Sequence, residues 1–165
     1  MKRIMPKKFL TLTLLIALVS MLFSVQVSAA DAQETLEPGA LTTPPPTSES
    51  ILPLSINPSF KYLYDSKLSL NNVGNLNVRI DVSTMAYETV NSIGADVSIE
   101  RWTGSNWLTI QTRYLSSVST DFYSGSADFT VTSGYYYRAK SNHWATKGNV
   151  KEEFTAYTSS MLVTN

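Results

Sequence analysis

From Ser66 onward, apolar and polar residues alternate in short runs. Within 75–82, Leu76, Val78, Ile80 and Val82 fall on one side, and Asn77, Arg79 and Asp81 on the other. A pleated strand turns successive side chains to opposite faces, so this run is predicted to be a half-buried strand. Ahead of it, 67–70 is a short apolar-alternating run and Asn71-Asn72-Val73-Gly74 a predicted turn. Segment 84–92 is predicted as a connection with room for a short edge strand. In 96–102, Val97 and Ile99 are expected inside and Ser98 and Glu100 outside. Thr103-Gly104-Ser105-Asn106 turns the chain into 107–114, with Leu108 and Ile110 expected inside and Thr109 and Gln111 outside. The serine-rich 115–126 reads as a loop. Ala127, Phe129 and Val131 face inward on the next strand, and Met161-Leu162-Val163 forms a last one.

The stretch 134–154 is predicted to be a β-hairpin. Tyr135, Tyr136 and Tyr137 open the first arm, Lys147-Gly148-Asn149 makes the turn, and Val150 begins the return. Gly148 and Asn149 tolerate the positive φ that tight hairpin turns demand. No window carries a helical stripe. About seven short strands with turn signals between them predict an all-β, single antiparallel β-sandwich, immunoglobulin- or fibronectin-III-like. A small closed barrel is the alternative.

The N-terminus follows another rule. Lys2, Arg3, Lys7 and Lys8 precede an apolar run over 9–23, and Val27-Ser28-Ala29-Ala30 supplies small residues. A basic head, apolar middle and small-residue exit predict a cleaved secretory signal helix over 1–30. The apolar run as a helix would span only ~22 Å, against ~30 Å of bilayer hydrocarbon. Residues 31–58 hold Pro38, Pro44, Pro45, Pro46, Pro53 and Pro58 among Thr, Ser and acids. That composition buries too little apolar surface to offset ordering, so a disordered Pro/Thr/Ser linker is expected there. Ile51, Leu52, Leu54 and Ile56 offer a short edge strand. The β-sandwich domain is then 59–165.

Charge narrows the partners. The chain balances 13 basic against 13 acidic residues, and four of the basic ones lie in the head. Beyond residue 30 nine basic residues face 13 acidic, and Asp31, Glu34, Glu37 and Glu49 carry the excess. The domain itself is neutral, with no basic stripe, which argues against nucleic acid and against an electrostatic grip on anionic lipid. Membrane contact is expected only through an uncleaved signal peptide. There is no cysteine, so an exported domain must hold together without disulfides. The expected location is extracellular or cell-wall-associated.

The domain also resembles a known group. The carrying residues are Val97-Ser98-Ile99-Glu100-Arg101, Trp107, Gly134-Tyr135-Tyr136-Tyr137-Arg138-Ala139-Lys140, His143, Gly148, Glu152 and Tyr157-Thr158. They resemble small secreted proteins of Gram-positive spore-forming bacteria known only as a domain of unknown function. The resemblance implies export and a fibronectin-type-III-like sandwich. It implies no activity.

Candidate chemistry is sparse. His143 is the only histidine. Acid–base or triad chemistry on it would need a nucleophile and a carboxylate in reach, and no serine sits in Gly-x-Ser-x-Gly; a hydrogen-bonded hairpin histidine is the plainer expectation. One histidine without cysteine does not make a structural zinc site, and no calcium loop is present. Asp96 and Glu100 stand ~13 Å apart along one strand face, and Glu152 and Glu153 point to opposite faces, so solvated outer charges are expected rather than a glycosidase pair. No catalytic residue, metal ligand or cofactor is therefore assigned. Alternation places Trp102 and Trp107 together on the outer face, flanking a turn. They are expected either to pack as a hairpin pair or to form an exposed platform for a cell-wall glycan or a surface protein. Tyr136, Arg138 and Trp144 would extend that platform. Arg101 falls inward by the same alternation, and a bulge there would turn Trp102 into the core. The expected function is a secreted non-catalytic binding module. A glycan-binding module using the tryptophans is the first alternative and a small hydrolase the second.

Overall fold

A computed structural model describes residues 36–46 and 57–165. The expected signal helix over 1–30 and the edge strand over 51–56 lie outside the described residues. Six strands make one antiparallel sheet: β1 (Leu63–Gly74), β2 (Asn77–Trp102), β3 (Trp107–Thr130), β4 (Tyr135–Lys147), β5 (Val150–Tyr157) and β6 (Met161–Val163). The all-β, antiparallel expectation holds. The sheet is curled into a half barrel.

The strands are fewer and longer than the apolar pattern predicts. β2 runs for 26 residues and β3 for 24. Segment 84–92 is part of β2 rather than a connection, and 115–126 is part of β3 rather than a loop. Each marks a bend within a strand. The β2–β3 register shifts between Met85 and Val90, and Ser119 opposite that bend has φ 53°. Backbone ladders continue through such bulges while the strand turns.

β3 lines one edge of β2 from Asn77↔Thr130 to Trp102↔Trp107. The other edge of β2 is shared, with β1 on its first half and β4 on its second. β4 then carries β6 at its start and β5 beyond it. The turn into β2 falls at Asn75 and Leu76, with φ 52° and 58°, rather than at 71–74. Asn accepts that conformation readily; Leu76 adopts it at a steric cost while packing on the core. The 148–149 turn stands where the sequence puts it, with Lys147 paired to Val150.

Curling lets both halves of β2 fill one concave core. Val78, Ile80 and Val82 join Val97, Ile99, Phe129, Val131, Tyr137 and Val163. The Tyr137 hydroxyl accepts from Thr132 N–H and donates to Thr132 C=O, each at 3.0 Å, which ties the β3–β4 connection to the core. Leu108 and Ile110 depart from the expected pattern, with 48% and 44% of their surface exposed. The register shift between Ile99 and Glu100 skips Ile110, and β3 pairs with no strand but β2 among the described residues, so nothing closes over that arm.

Part of the expected linker is seated on the sheet. Leu41 N–H donates to Gly134 C=O at 2.7 Å, after a turn in which Ala40 N–H reaches Glu37 C=O at 2.9 Å. The start of β1 is held from β5. One Glu152 carboxylate accepts the N–H groups of Lys61, Tyr62 and Leu63 at 2.7, 2.8 and 2.8 Å. Those bonds hold its carboxyl below the usual range despite the opposing effect of burial, the largest single influence.

Candidate functional site

The outer face of β2–β4–β5 carries the residues singled out from the sequence. Ile99 points into the core, so Glu100 and Trp102 point away from it, beside Arg138 and Tyr136 of β4. Alternation thus assigns the face correctly, yet Glu100 and Trp102 are only 5% and 4% exposed. Arg101 lies on the opposite face with its guanidinium 4.6 Å from the Tyr135 ring centre, so no bulge turns Trp102 inward.

Trp102 and Trp107 pair across the hairpin with ring centres 5.3 Å apart. The Arg138 guanidinium lies 4.3 Å from the Trp107 ring and 4.5 Å from the Tyr157 ring. Arg138 Nε donates to Glu100 Oε2 at 2.8 Å, and the Thr109 hydroxyl donates to Glu100 Oε1 at 3.3 Å. Glu100 is therefore a buried ion-pair partner rather than a solvated outer charge. The result is a column, Trp102–Trp107–Arg138–Tyr157. The two tryptophan rings do not stand open together: Trp102 is covered, and Trp107 packs against the Trp102 ring and the Arg138 guanidinium. Tyr136 is also buried, at 4% exposure. Burial first, then the Glu37 carboxylate beside it, raises its hydroxyl pKa. Trp144 is half-buried, donates from Nε1 to Asp96 Oδ1 at 3.2 Å, and has Lys151 over its ring at 5.5 Å. It shares the face but stands four strand positions beyond Lys140, away from the column.

His143 lies on the other face and is 0% exposed. The Thr84 hydroxyl has one hydrogen and donates it to Gly94 C=O at 3.1 Å. His143 Nδ1, 2.8 Å from the same oxygen, is then the donor, which leaves Nε2 as a bare acceptor with no partner among the described residues. Burial lowers the imidazole pKa from 6.5 to about 4, against a smaller opposing pull from Asp65. A neutral, enclosed ring with no carboxylate in its hydrogen-bond set has the form of a packing residue. No group of three or more potential metal ligands occurs among the described residues.

The open aromatic surface is elsewhere. Tyr64 and Tyr87 pack with ring centres 4.8 Å apart while remaining 53% and 62% exposed. Both sit at irregular positions. Tyr64 falls in the β1 register shift between Leu63 and Asp65, and Tyr87 in the β2 shift between Met85 and Val90. Bulges re-aim side chains, and here two of them bring tyrosines together on the outside of the bend. Tyr87 N–H donates to Tyr62 C=O at 2.9 Å and fixes the pair to the body of the sheet. Lys147 bonds Glu88 at 2.7 Å beside them, and Phe122, opposite Met85, is 44% exposed. Sequence periodicity misses this pair because both residues lie where the periodicity breaks; the one available signal is two tyrosines in segments that otherwise read as connections.

A concavity of about 580 Å³ lies over β1, β2 and β3, lined by Leu68 and Val82 as well as by Ser66, Lys67, Ser69, Asp81, Ser83 and Ser124. Asp81 accepts from Asn71 Nδ2 at 2.8 Å at its edge. Its wall is mainly apolar, interrupted by serine hydroxyls and one charge of each sign. No protein-family model matches the chain, and no curated protein matches it.

Proposed function

We propose that this chain is a secreted, non-catalytic β-sandwich module that binds a partner at the cell surface or in the medium. The sandwich reading treats the two halves of the bent β2–β3 hairpin as facing layers over one core, which both halves of β2 fill. Export rests on the basic-apolar-small pattern of 1–30, and the kinship with small secreted proteins of Gram-positive spore-formers rests on the residues quoted above.

The observation that carries binding is the exposed Tyr64–Tyr87 pair. Large rings left more than half in water, in contact with each other and anchored by backbone, give flat, rigid, amphipathic area at low entropic cost, the property that makes tyrosine common at recognition surfaces. The test is co-sedimentation of the chain with whole cells and with stripped cell walls. Binding lost in Y64A/Y87A at unchanged melting temperature supports the proposal; equal binding by parent and variant refutes the assignment to this pair.

A glycan is the second reading of the partner. It is favoured by the groove over β1–β3, where serine hydroxyls interrupt a mainly apolar wall, the mix of apolar area and placed polar groups that small-ligand sites use. Soluble glycans as competitors separate the two readings. A hydrolase draws no support from His143, whose ring has no surface to offer a substrate.

A further inference from the structure

Segment 36–46 crosses the end of the sheet that carries Trp102 and Tyr136. At one side Leu41 bonds Gly134, and a Cβ placed on Gly39 would stand 3.0 Å from Thr164 Cγ2. At the other side Thr42 lies 3.8 Å from where a Cβ on Gly104 would be. Gly134 precedes β4 and Gly104 follows β2, so the segment spans the ends of the strands that carry Tyr136 and Trp102, and Glu37 lies by the Tyr136 hydroxyl. Gly134 has φ 86°, and a Cβ there would meet Leu41 Cγ at 2.7 Å, so the seat is shaped to the backbone of this segment.

The segment's composition makes the seating informative. Thr42, Thr43, Pro44 and Pro45 are half-buried without belonging to any strand. Prolines donate no backbone hydrogen bond, and their fixed φ favours an extended polyproline-II form that loses little freedom on docking. Grooves lined with aromatic rings are the surfaces that hold such segments. Two polar atoms of this seam, Trp102 Nε1 and Thr42 Oγ1, are buried with no hydrogen-bond partner among the described residues, while the Tyr136 hydroxyl has the Glu37 carboxylate beside it. The segment runs past this end of the sheet yet leaves the Trp102 indole N–H unused, a donor that a peptide offering a carbonyl oxygen there would satisfy.

We infer that the Trp102–Tyr136 seam is a recognition site for a neutral, proline-rich extended peptide, and that Thr42–Pro46 of this chain is its resident, self-inhibiting occupant. This rests on the reading of the chain as a binding module, but its test needs no natural partner. Failure here would leave cell-surface binding through Tyr64 and Tyr87 untouched.

The test uses the full chain and a fluorescently labelled peptide of sequence 36–46. L41P removes the N–H that Gly134 accepts, and P44G/P45G/P46G removes the pre-set backbone. Fold is checked by far-ultraviolet dichroism for each. A tethered segment competes at high effective concentration, so unseating it is expected to tighten peptide binding in trans by roughly tenfold or more over the parent. W102A in either background is expected to abolish that gain. Equal peptide affinity for parent and both variants, no binding to any of them, or a gain that survives W102A would overturn the inference.

Discussion

Acid should weaken this fold through one residue, and the size of the effect follows from its surroundings. His143 is wholly enclosed and neutral, with its imidazole pKa lowered to about 4 by burial. In the unfolded chain the ring returns to its ordinary 6.5. Because the folded value is the lower one, the unfolded state binds the extra proton as pH falls below 6.5. The stability is therefore complete above that value and is lost toward the folded pKa. Each unit of separation is worth about 1.4 kcal/mol, so the loss reaches about 2 kcal/mol near pH 5 and about 3 kcal/mol near pH 4. That is a large share of the roughly 5–15 kcal/mol a domain has to lose.

The assay is urea unfolding at a series of pH values for the parent and for H143Q, which does not titrate. Several carboxylates also sit below their ordinary values, among them Glu152, Glu153, Glu88 and Asp128. They lose stability in acid too, but they are common to both proteins. Subtracting one curve from the other removes them. The parent's advantage over H143Q should shrink by about 2 kcal/mol between neutral pH and pH 5. A difference that stays constant with pH would refute the enclosed neutral ring. An advantage that grows in acid would mean the ring is charged and paired.

Other substitutions test the frame. G94A should fail to fold or should melt far below the parent, because a Cβ there would stand 2.1 Å from Leu115 O and 2.9 Å from Ser116 Cα, both backbone; a parent-like melting curve would show that β3 does not approach β2 as described. R138M should cost about 3–5 kcal/mol by leaving buried Glu100 uncompensated, as read from urea midpoints. R79A, which breaks the open pair with Asp128, should leave the midpoint near the parent's. E152Q should weaken the anchoring of β1 and raise amide exchange at Lys61, Tyr62 and Leu63 above that of other strand starts; unchanged exchange there would contradict the clamp.

What the sequence discloses and what it hides divide along physical lines. Alternation at 76–82, at Val97 and Ile99, and at Ala127, Phe129 and Val131 reports a surface facing a core, and those residues are where the pattern puts them. The pattern says less about length, because a ladder runs through backbone whatever the side chains are. The polar 115–126 and the mixed 84–92 are therefore strand although they read as breaks. Alternation also assigns a face, not its cover. Leu108 and Ile110 remain open because β3 is an edge, while Trp102, Tyr136 and Glu100 are closed. Beside Tyr136 runs a proline-rich segment from the N-terminal part of the chain, seated through Leu41 on Gly134, which composition alone reads as unstructured. The Tyr64–Tyr87 pair is created by two bulges, and bulges leave no period to read.

The central claim is that an exposed tyrosine pair makes this chain a surface-binding module. The most direct measurement is a saturation curve for the full chain on whole cells of a Gram-positive spore-forming bacterium, run beside Y64A/Y87A. The account predicts saturable binding by the parent and its loss in the variant, with both proteins melting at the same temperature. No saturable binding by the parent, or a variant that binds as well as the parent, would contradict it.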